Sequence, residues 1–188
     1  FMDVRRYGEF EFWFALIKVL AITLFIGVCL IAVCGLWPWG TISGTAGLTG
    51  YGGFMPRGPQ PVVTAMLGAM FAYMGAEIVT IAAGESRDPS GAVVKATRSV
   101  LWRVCLFYVG SIFLIVCLVP WSDPLLSGQN GGPFRRTLEL LGIPGARHVM
   151  NFVVLISVSS CFISAHYTCS RMMYSLARRG DAPAALRK

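Results

Sequence analysis

The chain has 188 residues, of which 55% are apolar and only 13% charged, with a net charge of +7; ordinary soluble domains carry about 25% charged residues. Mean hydropathy is +0.65. Together these exclude an ordinary soluble enzyme, a disordered tail and a disulfide-stapled secreted module, and at about 20 residues per crossing they leave room for about four membrane spans.

In chain order, the long uncharged runs predict four membrane helices, at about residues 12–36, 62–84, 100–121 and 149–170. Each is long enough to cross about 30 Å of hydrocarbon as a helix, and the need to satisfy backbone polar groups in lipid favours helices over open strands. The first holds Lys18 as its one charge, the second Glu77, and the third has Arg103 near its start; the fourth has no formal charge. Between the first two, residues 40–58 are rich in Gly, Ser and Thr and read as an irregular surface connection. Asp88-Pro89-Ser90 reads as a helix start. The run FRRTLELL, Phe134 to Leu141, reads as a short amphipathic surface helix that Gly142 and Pro144 would end.

The basic residues flank these runs, so they read as orienting the chain in a bilayer rather than as a nucleic-acid surface. One side receives Arg5, Arg6, the basic residues from Arg87 to Arg103, and those from Arg171 to Lys188. The other receives only Arg57, Arg135, Arg136 and Arg147. Both ends are therefore expected on the cytoplasmic side. Trp37, Trp39 and Trp121 mark the outer interface, and Trp13, Trp102 and Tyr174 the inner one. The six cysteines fall in apolar stretches and form neither a disulfide framework nor a zinc pattern. Phosphate-loop and HExxH motifs are absent, and no enzyme chemistry, nucleic-acid partner or metal is expected. With Phe1 first and no signal peptide before the first run, the chain reads as an internal piece of a longer protein.

Function is expected where the spans break their own rules. A charge inside a span costs roughly 2.5–3.5 kcal/mol even on the lenient insertion scale. Lys18 lies about 9 Å into the first span. It reads either as a proton-coupling group, charged in one transport state and neutral in another, or as a lysine snorkelling to the headgroups. Glu77 follows Gly75 in the run from Phe71 to Glu77. A glycine beside an intramembrane acid suggests a discontinuous helix whose freed backbone groups hold a zwitterion; the alternatives are a charge at a helix start or plain packing. The fourth span carries Ser157, Ser159, Ser160, Ser164, His166 and Thr168. Such hydroxyls most often bond their own helix, yet Ser159 and Ser160 lie about 15 Å from the inner end, within reach of a partner such as Lys18. His166 reads as an interfacial hydrogen-bonding residue.

The segments YGEFEFWFALIKVLAI (7–22), FAYMGAEIVTIAAGESRDP (71–89), WRV with FYVGSIF after Leu101, and SRMMYSLARRGDAP (170–183) resemble the fifth to eighth helices of the amino acid transporter family in the amino acid–polyamine–organocation superfamily. Within it, GAEIVTIAA and YGEFEFW are similar to the 4-aminobutyrate (GABA) permeases. The resemblance covers residues 1–188 as one permease-domain fragment. It implies an all-α transmembrane, LeuT-like inverted-repeat transporter of the bacterial inner membrane. Such a transporter is a proton-coupled symporter, with the proton as coupling ion and no other cofactor. Its partners are a small amino acid, the bilayer and the remainder of its own chain.

The resemblance further implies that substrate binds at Phe71, Ala72, Tyr73, Met74, Gly75, Ala76 and Glu77, through carbonyls around Phe71, Ala72 and Met74. It also implies proton coupling at Lys18, with Ser159 and Ser160 beside it. A permease for aromatic amino acids, proline or lysine, or a non-transporting sensor or assembly subunit, is the alternative. One departure bears on the substrate: where the family usually has Asn-Ser-Ala, often followed by Leu, this chain has Ile163-Ser164-Ala165-His166. The family's first helix, which in relatives binds the substrate carboxylate, and its third and tenth helices are expected in the rest of the protein.

Overall fold

The computed structural model describes residues 4–40, 42, 44–53, 55–72, 88–126 and 132–183. Helix α1 runs Val4–Val33, α2 Ala46–Thr49, α3 Gln60–Ala72 and α4 Pro89–Arg103. A π-helical turn, Val104–Val109, joins α4 to α5, Gly110–Leu118. A 3-10 turn at Pro124–Leu126, then α6 (Pro133–Leu140) and α7 (Ala146–Arg179), complete the order. Among the described residues there are no strands. Among the described residues, three helical stretches, Gly8–Val33, Ser90–Leu118 and Ala146–Arg179, are long and apolar enough to cross a membrane. The protein is all-α and transmembrane. Many large apolar side chains on these helices stand exposed, Leu24, Val158 and Phe162 among them; in a bilayer, lipid or neighbouring helices cover such faces.

The chain divides into two compact units. The first comprises Phe1–Ala21 with His148–Lys188, and the second Ile22–Arg147. In the first unit the N-terminal part of α1 and the long α7 are tied by hydrogen bonds described below.

The second unit has its own core. Phe25 of α1 packs against Phe134 of α6, the rings tilted and their centroids 4.9 Å apart. Cys29, Ala32, Leu114, Ile115, Cys117, Leu118, Leu138 and Leu141 are buried. Asp88 caps α4, its carboxylate accepting from the Gly91 N–H at 3.3 Å, with Pro89 in the first turn; that start is the one expected from the sequence. Past α4, the Gly110 N–H donates to the Cys105 carbonyl, five residues back. A wide turn of this kind leaves carbonyls under-used, and the buried Ser111 hydroxyl donates to Phe107 O and, at 3.3 Å, to Tyr108 O.

The connection from 40 to 58 is more than a surface loop. Its short helix α2 lies so close to α5 that a Cβ on Gly47 would stand 2.6 Å from the carbonyl oxygens of Val116 and Cys117. Backbone proximity of this kind leaves no apolar pattern in the sequence. The amphipathic run around 134–141 forms α6 as expected and ends in a Schellman motif: Ile143 N–H to Leu138 O at 3.1 Å and Gly142 N–H to Glu139 O at 3.0 Å. The same pair of bonds closes α1 at Gly35 and α7 at Gly180. The Trp37 indole N–H donates to Leu141 O at 2.9 Å, pinning the turn after α1 onto the end of α6.

Arg136 of α6 holds Asp123 at 2.8 Å, and Arg135 holds Glu139 at 2.7 Å. The Arg136 guanidinium, helped by the Leu125 backbone N–H, keeps the Asp123 carboxyl below its ordinary range. A carboxylate with a depressed folded-state pKa stabilises the fold above its unfolded value, about 4, and loses that contribution as pH falls through the lowered value. Asp123→Asn is therefore expected to lower the unfolding temperature in detergent at pH 7. The deficit shrinks as the pH falls below about 4; a deficit constant from pH 7 to pH 3 would contradict the ion pair.

A candidate proton-coupling site

The first unit brings together side chains far apart in sequence. Lys18 lies on a half-buried line of α1 with Glu11 and Phe14, positions that recur every three to four residues and so share one helix face. On α7, running back toward the same end, Ser160 and Ser164 are one turn apart. The Lys18 Nζ donates to Ser160 Oγ at 2.8 Å. Two turns toward the N-terminus, Glu11 accepts a hydrogen bond from the Ser164 hydroxyl. The steps of seven residues on α1 and four on α7 keep both pairs on facing sides of two oppositely directed helices.

Ser160 is 3% exposed, so the oxygen that meets the lysine is out of water. A serine hydroxyl suits a group that changes protonation. It accepts from an ammonium, and by rotating its O–H it donates to the lone pair of a neutral amine. A carboxylate in the same place would hold the lysine charged; an apolar side chain would leave it without a partner, at several kcal/mol. The lysine-to-hydroxyl contact is thus compatible with either charge state.

Lys18 and Ser160, both expected from the sequence, meet directly. Ser159 is the half-buried neighbour of Ser160, and the lysine's hydrogen bond goes to Ser160. Other hydroxyls of the α7 stripe behave as membrane hydroxyls usually do: Thr168 donates to Ser164 O at 3.0 Å, and Ser170 to His166 O at 2.8 Å. The His166 side chain is exposed. Of the expected substrate residues, Phe71 is exposed near the end of α3 and Ala72 is its last residue; Tyr73, Met74, Gly75, Ala76 and Glu77 lie outside the described residues. Glu11 is not among the residues the sequence singles out; its signal there is a carboxylate seven residues before Lys18, matched by hydroxyls four residues apart on a second helix.

The second unit holds a separate cavity of about 610 Å³, whose walls are mainly apolar and include Met55, Ile112, Ile115 and Val116. Arg57 at its edge stacks over the Trp121 ring, 4.7 Å from the centroid, and Trp121 donates to Tyr51 O at 2.8 Å. Among the described residues, none of those expected to bind substrate or proton lines it.

The chain is 53% identical over 187 residues to the gamma-aminobutyric acid permease of Escherichia coli (strain K12), a match covering 100% of this chain and 40% of that protein. It is 52% identical over 186 residues to a probable GABA permease of Pseudomonas aeruginosa, covering 98% and 39%. It is 47% identical over 181 residues to the gamma-aminobutyric acid permease of Bacillus subtilis (strain 168), covering 96% and 38%. The chain thus spans about 40% of the length of these curated relatives. No solved structure matches it significantly. The amino acid permease family model matches residues 1–188, and the chain belongs to that family of transporters, not to a family of enzymes.

Proposed function

We propose that this chain forms part of a proton-coupled symporter that imports GABA or a related amino acid across the bacterial inner membrane by alternating access. The observation that carries the reading is the Lys18–Ser160 hydrogen bond at 2.8 Å, which puts the costliest residue of the first span against a hydroxyl able to serve both of its protonation states. Family membership and the names of the relatives at 53%, 52% and 47% identity support GABA as the substrate. In this reading both ends of the chain are cytoplasmic, as the basic flanks favour. The helices correspond to the fifth to eighth of a LeuT-like inverted-repeat bundle, and the backbone from Phe71 to Glu77 receives the substrate amine. The coupling cycle turns on proton exchange at Lys18: protonated with substrate bound on the outer side, deprotonated toward the cytoplasm, with Ser160 holding the amine throughout.

The experiment is competition uptake with the whole permease in proteoliposomes. With labelled GABA near its KM, unlabelled GABA in hundredfold excess is expected to suppress labelled uptake by more than about 90%, as simple mass action requires for a shared site, while phenylalanine, proline and lysine at the same excess leave most of it. Suppression by one of those three and not by GABA would replace the substrate. Absence of any binding or uptake would favour a non-transporting sensor.

A further inference from the structure

The second hydrogen bond of the first unit has no place in the coupling cycle so far. Glu11 is half-buried on the same face of α1 as Lys18, two turns nearer the inner end, about 10 Å away by helical rise. It accepts from Ser164, whose hydroxyl lies one turn of α7, about 6 Å, from that of Ser160. Carboxylate, hydroxyl, hydroxyl and amine therefore follow one another along the seam between two helices.

We infer that Glu11 is the proton-exchange group between Lys18 and the cytoplasm, an inference that rests on reading Lys18 as the coupling residue. The ammonium of Lys18 gives its proton by way of Ser160, an intervening water and Ser164 to the Glu11 carboxylate. The ammonium–carboxylate pair becomes a neutral amine and a neutral carboxylic acid. The acid then releases the proton to water at the inner surface and regains its charge. One proton leaves the site and no other bond changes; the transfer between Lys18 and Glu11 passes through a neutral amine and a neutral acid, and the carboxylate left after release is held by the Ser164 hydroxyl. Glu11 suits the task because a carboxylic acid loses a proton to water far more readily than an ammonium does. Among the described side chains, the other ionisable ones within seven residues of Glu11 on α1 or of Ser164 on α7 are Glu9, Lys18, Cys161, His166, Tyr167, Cys169 and Arg171.

The test is Glu11→Gln in the whole permease. The amide oxygen still accepts from Ser164, so the tie between the helices is kept while the proton site is removed. The rate of pH-gradient-driven uptake is expected to fall at least about tenfold, a modest share of the roughly 10²–10⁴-fold that a positioned proton-transfer group contributes. Substrate counterflow, which needs no net proton movement, stays within about twofold of wild type. A small membrane-permeant weak acid, offered as a substitute proton carrier, is expected to restore part of the lost rate. Unchanged gradient-driven uptake in Glu11→Gln would overturn the relay, and so would an equal loss of counterflow, which marks a structural role. Lys18→Ala measured in parallel separates the two ideas. If it keeps full uphill accumulation, the coupling reading itself fails; if it loses accumulation while Glu11→Gln is unaffected, only the relay fails.

Discussion

Lys18→Ala in the whole permease is expected to abolish uphill accumulation while sparing exchange. One proton moving down a gradient of one pH unit releases about 1.4 kcal/mol, enough to hold a tenfold concentration ratio of substrate. Wild-type proteoliposomes are therefore expected to accumulate substrate about tenfold per imposed pH unit, and the variant only to equal concentrations inside and out. The reason is local. Removing the amine leaves Ser160, 3% exposed, free to bond its own helix, so the fold survives without a group to carry the proton. Lys18→Arg is instructive beside it, because a guanidinium is not deprotonated in proteins and is expected to bind without coupling. Measured accumulation ratios across a pH jump decide the matter, and a ratio that still follows the gradient in Lys18→Ala would contradict the assignment.

The largest effect on stability is expected at Gly142. It ends α6 at φ +73°, and a Cβ there would stand 2.7 Å from the Trp39 carbonyl oxygen. Gly142→Ala combines a left-handed backbone, about 1–3 kcal/mol for a residue with a side chain, with a backbone contact that has no flexible end to yield. Overpacking of that sort costs about 1–3 kcal/mol more. Gly145 provides the control: its φ is +74°, but nothing lies within 4 Å of its notional Cβ, so Gly145→Ala meets only the backbone cost. Thermal unfolding in detergent is expected to order the proteins as wild type, then Gly145→Ala, then Gly142→Ala. Equal losses for the two variants would mean that the turn after α1 does not approach α6 through Trp39, although Trp37 bonds Leu141 O at 2.9 Å.

Much of this was legible in the sequence because the bilayer simplifies the problem. A long apolar run has few options but to be a helix, and a charge within it stands out by cost alone, which is how Lys18 came forward. Depth arithmetic then placed Ser160 within its reach, and the two residues do meet. The cap at Asp88 and the stop at Gly142 were legible for a different reason, since both rest on local backbone chemistry. What the sequence hid was long-range or backbone-borne. The Glu11–Ser164 bond joins residues 153 apart, and the facing sides of two helices are not encoded by either helix alone. The π-helical turn at Val104–Val109 sits inside an unbroken apolar run with no glycine or proline before Gly110 to announce it. Gly47 looked like loop filler, but its lack of a side chain lets α2 lie against α5.

In the proposed symport, substrate and proton enter together through a site built on Lys18. The most direct measurement traps a pH-sensitive dye inside proteoliposomes holding the whole permease and adds GABA outside with no gradient imposed. Symport predicts that the lumen acidifies as labelled GABA enters, in step with it, and that Lys18→Ala abolishes the acidification. Entry of GABA with no change in internal pH would contradict proton symport.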